Sequence, residues 1–366
     1  MIVFRCDHCR HLLFFENTRC VGCARRLAFL PDLGVLASLD PADPSGETFT
    51  TPIPRAAGRR YKPCVNDTWY GVCNWALPAD DPNGLCEACL LTTVIPDLGR
   101  PDSGLRWARL EAAKRRLVYT LRAHRLPLLS KFADPVGGLA FEFLADPEDP
   151  DRPHVLTGHA DGVVTVNISE ADDAERERRR VNLNEPFRTL IGHLRHEVGH
   201  YYWDRLVRDD PARLAGFRRL FGDDRQDYTA ALGRHYAVGP PADWADRFVS
   251  AYATMHPWED WAESFAHYLH LTDAMQTAAA GGVSILPPRP GEPAAAWMPD
   301  PFADPPSSFD SILVGWHALS YLLNNLTRGL GLPDGYPFVL NAPAREKLRF
   351  VHDTVTAAAG RGNMRG

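Results

Sequence analysis

The clearest hydrophobic periodicity in the chain falls between residues 185 and 207. Phe187, Leu190, Ile191, Leu194, Val198, Tyr201 and Tyr202 recur at helical spacing. This predicts a helix from Glu185 to about Val207, with Pro186 near its start. Upstream, Leu105 to Leu126 reads as a helix rich in Arg and Ala. Gly138 to Ala145, His154 to Thr157 and Gly162 to Ser169 read as strands, with 158–162 as a turn. Glu170 to Arg180 reads as a charged helix. Downstream, helices are predicted over 210–233, 241–254, 257–278, 309–326 and 343–359. Ala279 to Ser308 is proline-rich, and Trp297 and Phe302 within it suggest that part of it docks. The resulting class is α+β: a ribbon module of short strands, then a mostly helical domain with a small sheet. The expected divisions are a first small module at 1–38, a linker at 39–62, a second small module at 63–104 and the main domain at 105–366.

Composition narrows the function classes. Of 366 residues, 45% are apolar and 23% charged, as in ordinary globular chains. A net charge of -6 argues against a general nucleic-acid binder. Lys114-Arg115-Arg116 and Arg178-Arg179-Arg180 lie in helical segments with acidic neighbours and read as solvated faces. No apolar run approaches the roughly 20 residues of a membrane span. The N-terminal residues lack a signal-peptide layout, so a cytoplasmic location and no membrane partner are expected.

The cysteines change the picture further. Cys6, Cys9, Cys20, Cys23, Cys64, Cys73, Cys86 and Cys89 all lie in the first 89 residues. Three C-x2-C pairs in a chain without a secretion signal favour thiolate zinc sites over disulfides. Eight thiols make two closed, structural four-thiolate sites. Pairing within 6/9/20/23 and within 64/73/86/89 is simplest; a crossed pairing stays open. Trp69, Tyr70 and Trp75 are expected to form the small core of the second module.

The main domain carries a different metal pattern. His196-Glu197-Val198-Gly199-His200 places two imidazoles four residues apart on one helix face. Glu197 can then take a proton from a water at the metal's open position, the layout of a hydrolytic zinc site. Such a site needs a third ligand. In the segment from His256 to His270, Glu259, Glu263 and His267 form a stripe at four-residue spacing. Glu259 is the preferred third ligand, with Glu263 accepting a hydrogen bond from the outer nitrogen of a ligand His. Glu263 or another residue as the ligand stays open. His193 reads as a capping or packing residue. His159, in the turn before the third strand, is a weak candidate to face the cleft.

Strands followed by a motif helix and further helices match the zincin peptidase layout. There the last strand before the motif helix commonly lies at the sheet edge, where a peptide can add by strand pairing. Gly162 to Ser169 would be that strand, or else a covered one; pattern alone does not decide. The two-knuckle ribbon, the second cysteine module, EPFRTLIGHLRHEVGHYYWDRL and PWEDWAESFAHYLH together resemble a bacterial family of zinc-ribbon-containing, zinc-binding metallopeptidases. The resemblance covers nearly the whole chain and implies class, not substrate. The short motifs are also distantly similar to the catalytic domain of anthrax lethal factor, a gluzincin-type zincin. There a tyrosine follows the motif helix, a metal-binding Glu follows it by seven residues, and a second Glu by four more; Tyr252, Glu259 and Glu263 stand at that spacing. This similarity implies Tyr252 as a hydrogen-bond donor to the developing oxyanion.

The expected function is zinc-dependent hydrolysis of a peptide or protein, with one catalytic and two structural Zn2+. An alternative is a ribbon adaptor that binds protein or nucleic acid beside an idle metallopeptidase-like domain; the intact Glu197 argues against idleness. A peptidase effector delivered to another cell is a third reading, for which the chain shows no delivery signal.

Overall fold

The computed structural model describes residues 1–149, 151–182, 189–287, 289 and 291–362. Its strands are β1 (Phe4–Arg5), β2 (Leu12–Leu13), β3 (Arg26–Leu30), β4 (Val35–Pro41), β5 (Phe49–Thr50), β6 (Tyr61–Pro63), β7 (Ala76–Pro78), β8 (Thr92–Val94), β9 (Ala140–Leu144), β10 (Gly158–Ala160) and β11 (Val163–Asn167). Its helices are α1 (Val65–Thr68), α2 (Ser103–Ala123), α3 (Asp173–Asn182), α4 (Leu190–Trp203), α5 (Pro211–Phe221), α6 (Tyr228–Val238), α7 (Trp244–Arg247), α8 (Pro257–Ala280), α9 (Phe309–Gly329) and α10 (Ala342–Gly362). A strand-rich N-terminal region thus precedes a mostly helical domain with a small sheet, the α+β class expected. Among the described residues no helix is long and apolar enough to cross a membrane.

The N-terminal region is more continuous than its composition suggests. Strands β3 to β7 form one sheet in sequence order, and β1 pairs with β2 beside it. The segment read as a linker supplies the end of β4, all of β5 and the start of β6. Short polar strands with few apolar residues give little periodicity, so their pairing was not legible. Trp75 is fully buried, whereas Trp69 and Tyr70 are exposed, which corrects the expected core of the second module. The buried cluster instead joins Phe4, Phe15, Phe29 and Trp75 to Tyr119 of α2, whose ring lies 5.6 Å from Phe15. Burying several aromatic rings at one seam stabilises by a few kcal/mol, so the ribbon is docked on α2, not tethered.

The second sheet runs β10-β11-β9-β8. The strand expected at the edge, Gly162 to Ser169, is β11, and it lies inside, parallel to β9 and antiparallel to β10. The edge is β10, in the stretch read as a turn. The true turn is Asp161-Gly162, with φ of 49° and 80°, the left-handed pair of a two-residue hairpin. The segment 154–157 is not a strand.

The helix predicted from Glu185 is described from Leu190; residues 185–188 lie outside the described residues. Thr189 caps it, its side chain accepting from the Gly192 amide at 3.0 Å. The helix predicted over 210–233 breaks at Gly222, whose φ of 109° is available to glycine. Asp227 then caps α6. The helix predicted over 241–254 shrinks to α7 and a 3-10 turn at Tyr252–Thr254, because Phe248 between them is extended. Within the proline-rich segment Met298 is buried and the Phe302 ring lies 4.7 Å from His124, while Trp297 is exposed.

His124 gives this packing a pH dependence. Its Nε2 lies 2.9 Å from Thr272 Oγ1 of α8, and burial pulls its pKa down to about 3. A histidine in the unfolded chain takes up a proton near pH 6.5, which the folded chain refuses. Stability contributed at neutral pH is therefore lost as pH falls below about 6.5, by up to about 1.4 kcal/mol per unit. Urea midpoints at about pH 7 and about pH 5.5 should differ less in His124→Gln than in wild type. Equal differences would remove His124 from the acid sensitivity.

Candidate metal centre

The site lies where α4 crosses α8. Gly199 permits the crossing: a Cβ there would stand 3.0 Å from the Ala262 Cα. The Trp261 indole donates to the Gly199 carbonyl at 2.8 Å and fixes the register. One turn of α4 carries His196 and His200; one turn of α8 carries Glu259 and Glu263. Pro257 and the capping His256, whose ring accepts from the Trp258 amide at 3.1 Å, start α8 just before Glu259.

Three donor atoms converge. His196, His200 and Glu259 each bring one ligand atom, all within 4.8 Å of one another, and all three residues are buried. Glu259 Oε2 lies 2.8 Å from His196 Nε2 and 3.4 Å from His200 Nε2. Yet Glu259 Oε2 makes no hydrogen bond of acceptable angle among the described residues. Lone pairs that close, not aligned on one another and out of water, fit a shared cation. Ligands at about 2.0 to 2.2 Å in a tetrahedral set lie some 3.3 to 3.5 Å apart; the separation from His200 matches this and that from His196 is shorter. The donor set of two imidazoles and a carboxylate suits zinc.

Each member is held from behind. His196 Nδ1 lies 2.7 Å from Glu263 Oε1, and the Ser250 hydroxyl donates to Glu263 Oε2 at 2.6 Å. Burial would raise the Glu263 pKa, but the hydrogen bond from His196 leads the groups that together outweigh it and hold the carboxyl at about 2. The Tyr228 hydroxyl donates to Glu259 Oε1 at 2.8 Å, which leaves Oε2 for the cluster. His200 stacks on Trp258, with ring centroids 3.8 Å apart. The Tyr252 ring sits 5.9 Å from that of His196; burial, then the Glu259 charge, raises its pKa, so the hydroxyl stays protonated. Glu197 is buried; burial would raise its pKa, but the hydrogen bond from His193 leads the groups that lower it, and it remains a carboxylate. His159 of β10 lies 6.2 Å from the His200 ring.

The site-residue candidates are therefore brought together: His196, Glu197, His200, Tyr252, Glu259 and Glu263. His267 is not among them, since its Nδ1 lies 2.8 Å from the Tyr336 hydroxyl. Sequence reasoning missed Tyr228 and Ser250. Tyr228 lies on α6 and Ser250 in the bend between α7 and the 3-10 turn, where a lone Tyr or Ser carries no spacing signal. His193, read as a capping or packing residue, has its Nδ1 2.6 Å from Glu170 Oε2 and its Nε2 3.2 Å from Glu197 Oε1.

The eight cysteines are not disulfide-bonded. They gather as Cys6, Cys9, Cys20 and Cys23, and as Cys64, Cys73, Cys86 and Cys89, without crossed pairing. Cys6–Cys23 sulfurs are 3.8 Å apart, Cys9–Cys20 3.5 Å and Cys73–Cys86 3.7 Å. Four sulfurs at about 2.3 Å around one tetrahedral zinc stand about 3.8 Å apart, so both clusters fit a zinc ion.

A strand-rich cysteine module followed by an α+β domain with a two-histidine, one-glutamate cluster is the layout of a metallopeptidase-class chain. A family model described as "Putative zinc-binding metallo-peptidase" matches residues 103–354, and one described as a zinc-ribbon domain matches residues 3–100. The chain belongs to this zinc-binding metallopeptidase family, with an N-terminal zinc ribbon. Similar proteins from Mycobacterium bovis and Mycobacterium tuberculosis are 43% identical over 356 residues, covering 97% of this chain and 96% of theirs. Both are described only as uncharacterized proteins. No solved structure matches.

Proposed function

We propose that this protein hydrolyses peptide bonds, with one zinc ion held by His196, His200 and Glu259. The observation that carries the reading is the convergence of those three buried donors, with Glu263 on the outer nitrogen of His196. A zinc ion there supplies Lewis acidity, acidifying a water and polarising a carbonyl. Glu197 accepts the water's proton and returns it to the leaving amine. Glu263 fixes the His196 tautomer so that Nε2 faces the ion. Tyr228 holds Glu259 by its other oxygen. Tyr252, kept protonated, donates to the developing oxyanion. The substrate is a peptide or protein segment, and β10 at the sheet edge offers it backbone pairing. The intact base and its surroundings favour this reading over an idle adaptor.

Two structural zincs belong to the cysteine clusters, giving three ions per chain. Cys9 is exposed and Cys23 partly so, whereas all four sulfurs of the second cluster are buried. A thiol-modifying reagent should therefore label Cys9 and Cys23 first and release that zinc before the second. Simultaneous labelling of both clusters, read by mass spectrometry, would contradict the assignment.

Tyr252→Phe should keep every zinc and lower kcat by roughly 10- to 1,000-fold with little change in KM, because the lost donor acts only in the transition state. A change confined to KM would remove Tyr252 from that role. The function itself is tested by digesting a proteome-derived peptide library with wild type and with Glu197→Gln. Wild type should yield new termini that the variant does not. Identical profiles, or none from zinc-loaded wild type, would reject the peptidase reading.

A further inference from the structure

One pair of carboxylates beside the site shares a histidine that the proposed reaction leaves unused. His193 lies one helical turn before Glu197 on α4, so both side chains project from one face. Its Nε2 is 3.2 Å from Glu197 Oε1. Its Nδ1 is 2.6 Å from Glu170 Oε2. Glu170 belongs to the 3-10 turn Ile168–Ala171 that follows β11, and it is 3% exposed. Its other oxygen accepts from the Thr157 hydroxyl at 2.7 Å. Thr157 in turn accepts the Asn167 amide at 3.0 Å, and the Glu170 carbonyl accepts from Arg176 at 2.9 Å. The chain of contacts runs from the residue before edge strand β10, through Glu170 and His193, to Glu197.

We propose that His193 is a positioning residue for the general base, an imidazole bridge that ties the Glu197 carboxylate to Glu170 and through it to the sheet. The inference rests on the reading of Glu197 as that base. An imidazole between two carboxylates can satisfy both only if both nitrogens carry hydrogen, that is, as a cation. The two short distances place one carboxylate oxygen at each ring nitrogen, so the ring stands as a double donor and is not itself a proton acceptor. A simple packing ion pair would be complete with Glu170 and His193. The second nitrogen's reach to the base is what assigns a further role. A free glutamate explores several rotamers, and a general base must stand within hydrogen-bond reach of the proton it takes. Pinning one oxygen selects the productive rotamer. A displacement of about 1 Å at such a group can cost on the order of 100-fold in rate.

The test uses the full-length, zinc-loaded protein and a cleaved peptide. His193→Ala should lower kcat roughly 10- to 100-fold, with KM within about two-fold and zinc content unchanged. His193→Gln keeps a side-chain N–H close to the Nε2 position and should recover most of that loss. A structural role would give a lower melting temperature without this split or this rescue. A second readout needs no activity. With 15N-histidine labelling at neutral pH, His193 should show both ring N–H signals, assigned by their absence in His193→Gln. Glu197→Gln should shift the Nε2–H signal and Glu170→Gln the Nδ1–H signal. A kcat within two-fold of wild type in His193→Ala, or an equal loss in His193→Gln, would overturn the inference. So would a single ring N–H, or one unmoved by Glu197→Gln. Should wild type cleave no peptide, the reading of the base fails by itself, and the ring signals still decide whether the bridge exists.

Discussion

Glu197→Gln should abolish most hydrolysis while leaving the protein otherwise intact. Gln matches Glu in size, so the crossing of α4 on α8 is undisturbed. The three donors of the metal cluster are also untouched, since Glu197 lies outside the set formed by His196, His200 and Glu259. An amide accepts a proton far less readily than a carboxylate, and lost general-base catalysis typically costs 100- to 10,000-fold. We therefore expect kcat to fall by at least about 100-fold, with three zincs retained and little change in melting temperature. Glu197 lies 3.2 Å from His193, and Gln keeps an acceptor oxygen for that contact, so the change in stability is small. Zinc content and a thermal melt separate that effect from catalysis. Cleavage at near wild-type rate would remove Glu197 from the chemistry.

The largest effect on metal content should come from Glu259. Its Oε2 lies within 3.4 Å of the Nε2 of both imidazoles, and Tyr228 holds its other oxygen. Glu259→Ala should lose the catalytic zinc and keep both thiolate zincs, which sit in separate clusters. Glu263 meets the cluster through the outer nitrogen of His196, with Ser250 on its other oxygen. Its replacement by Ala should weaken zinc binding roughly 10- to 100-fold without abolishing it, as for other partners behind a ligand histidine. The two variants are told apart by zinc titration after mild chelation. If Glu263→Ala lost the ion outright and Glu259→Ala kept it, the ligand would lie one helical turn further along α8.

Much of this site was legible because its spacing is helical. His196 with His200, and Glu259 with Glu263, are separated by one turn each, and a turn fixes the face. What brings the two turns together is not periodic. Gly199 and Trp261 set the crossing of α4 on α8, and neither announces a partner in the sequence. Tyr228 and Ser250 reach the cluster across gaps in the chain that no spacing rule spans. The same limit explains the sheets. The long apolar run around β9 was recognisable, but β10 is three residues long and its identity depends on the Asp161-Gly162 turn. The middle of the five-stranded sheet, from the end of β4 to the start of β6, hid in a segment whose Pro, Gly and Asp content resembles a linker. The helices over 210–254 were overextended, since apolar spacing persisted through Gly222 and Phe248, where the backbone leaves the helical region. The eight cysteines suffered from none of this, because metal geometry constrains thiolates more tightly than packing constrains apolar side chains.

Removal and return of the catalytic zinc tests the central claim most directly. A chelator should strip that ion before those of the four-thiolate sites, because three protein donors would hold it where four would hold each of the others. Peptide cleavage should vanish when zinc content falls from three to two per chain, and one equivalent of zinc should restore it. Glu259→Ala should not be restored by the same addition. Undiminished cleavage at two zincs per chain, with the cysteine clusters still loaded, would contradict the account.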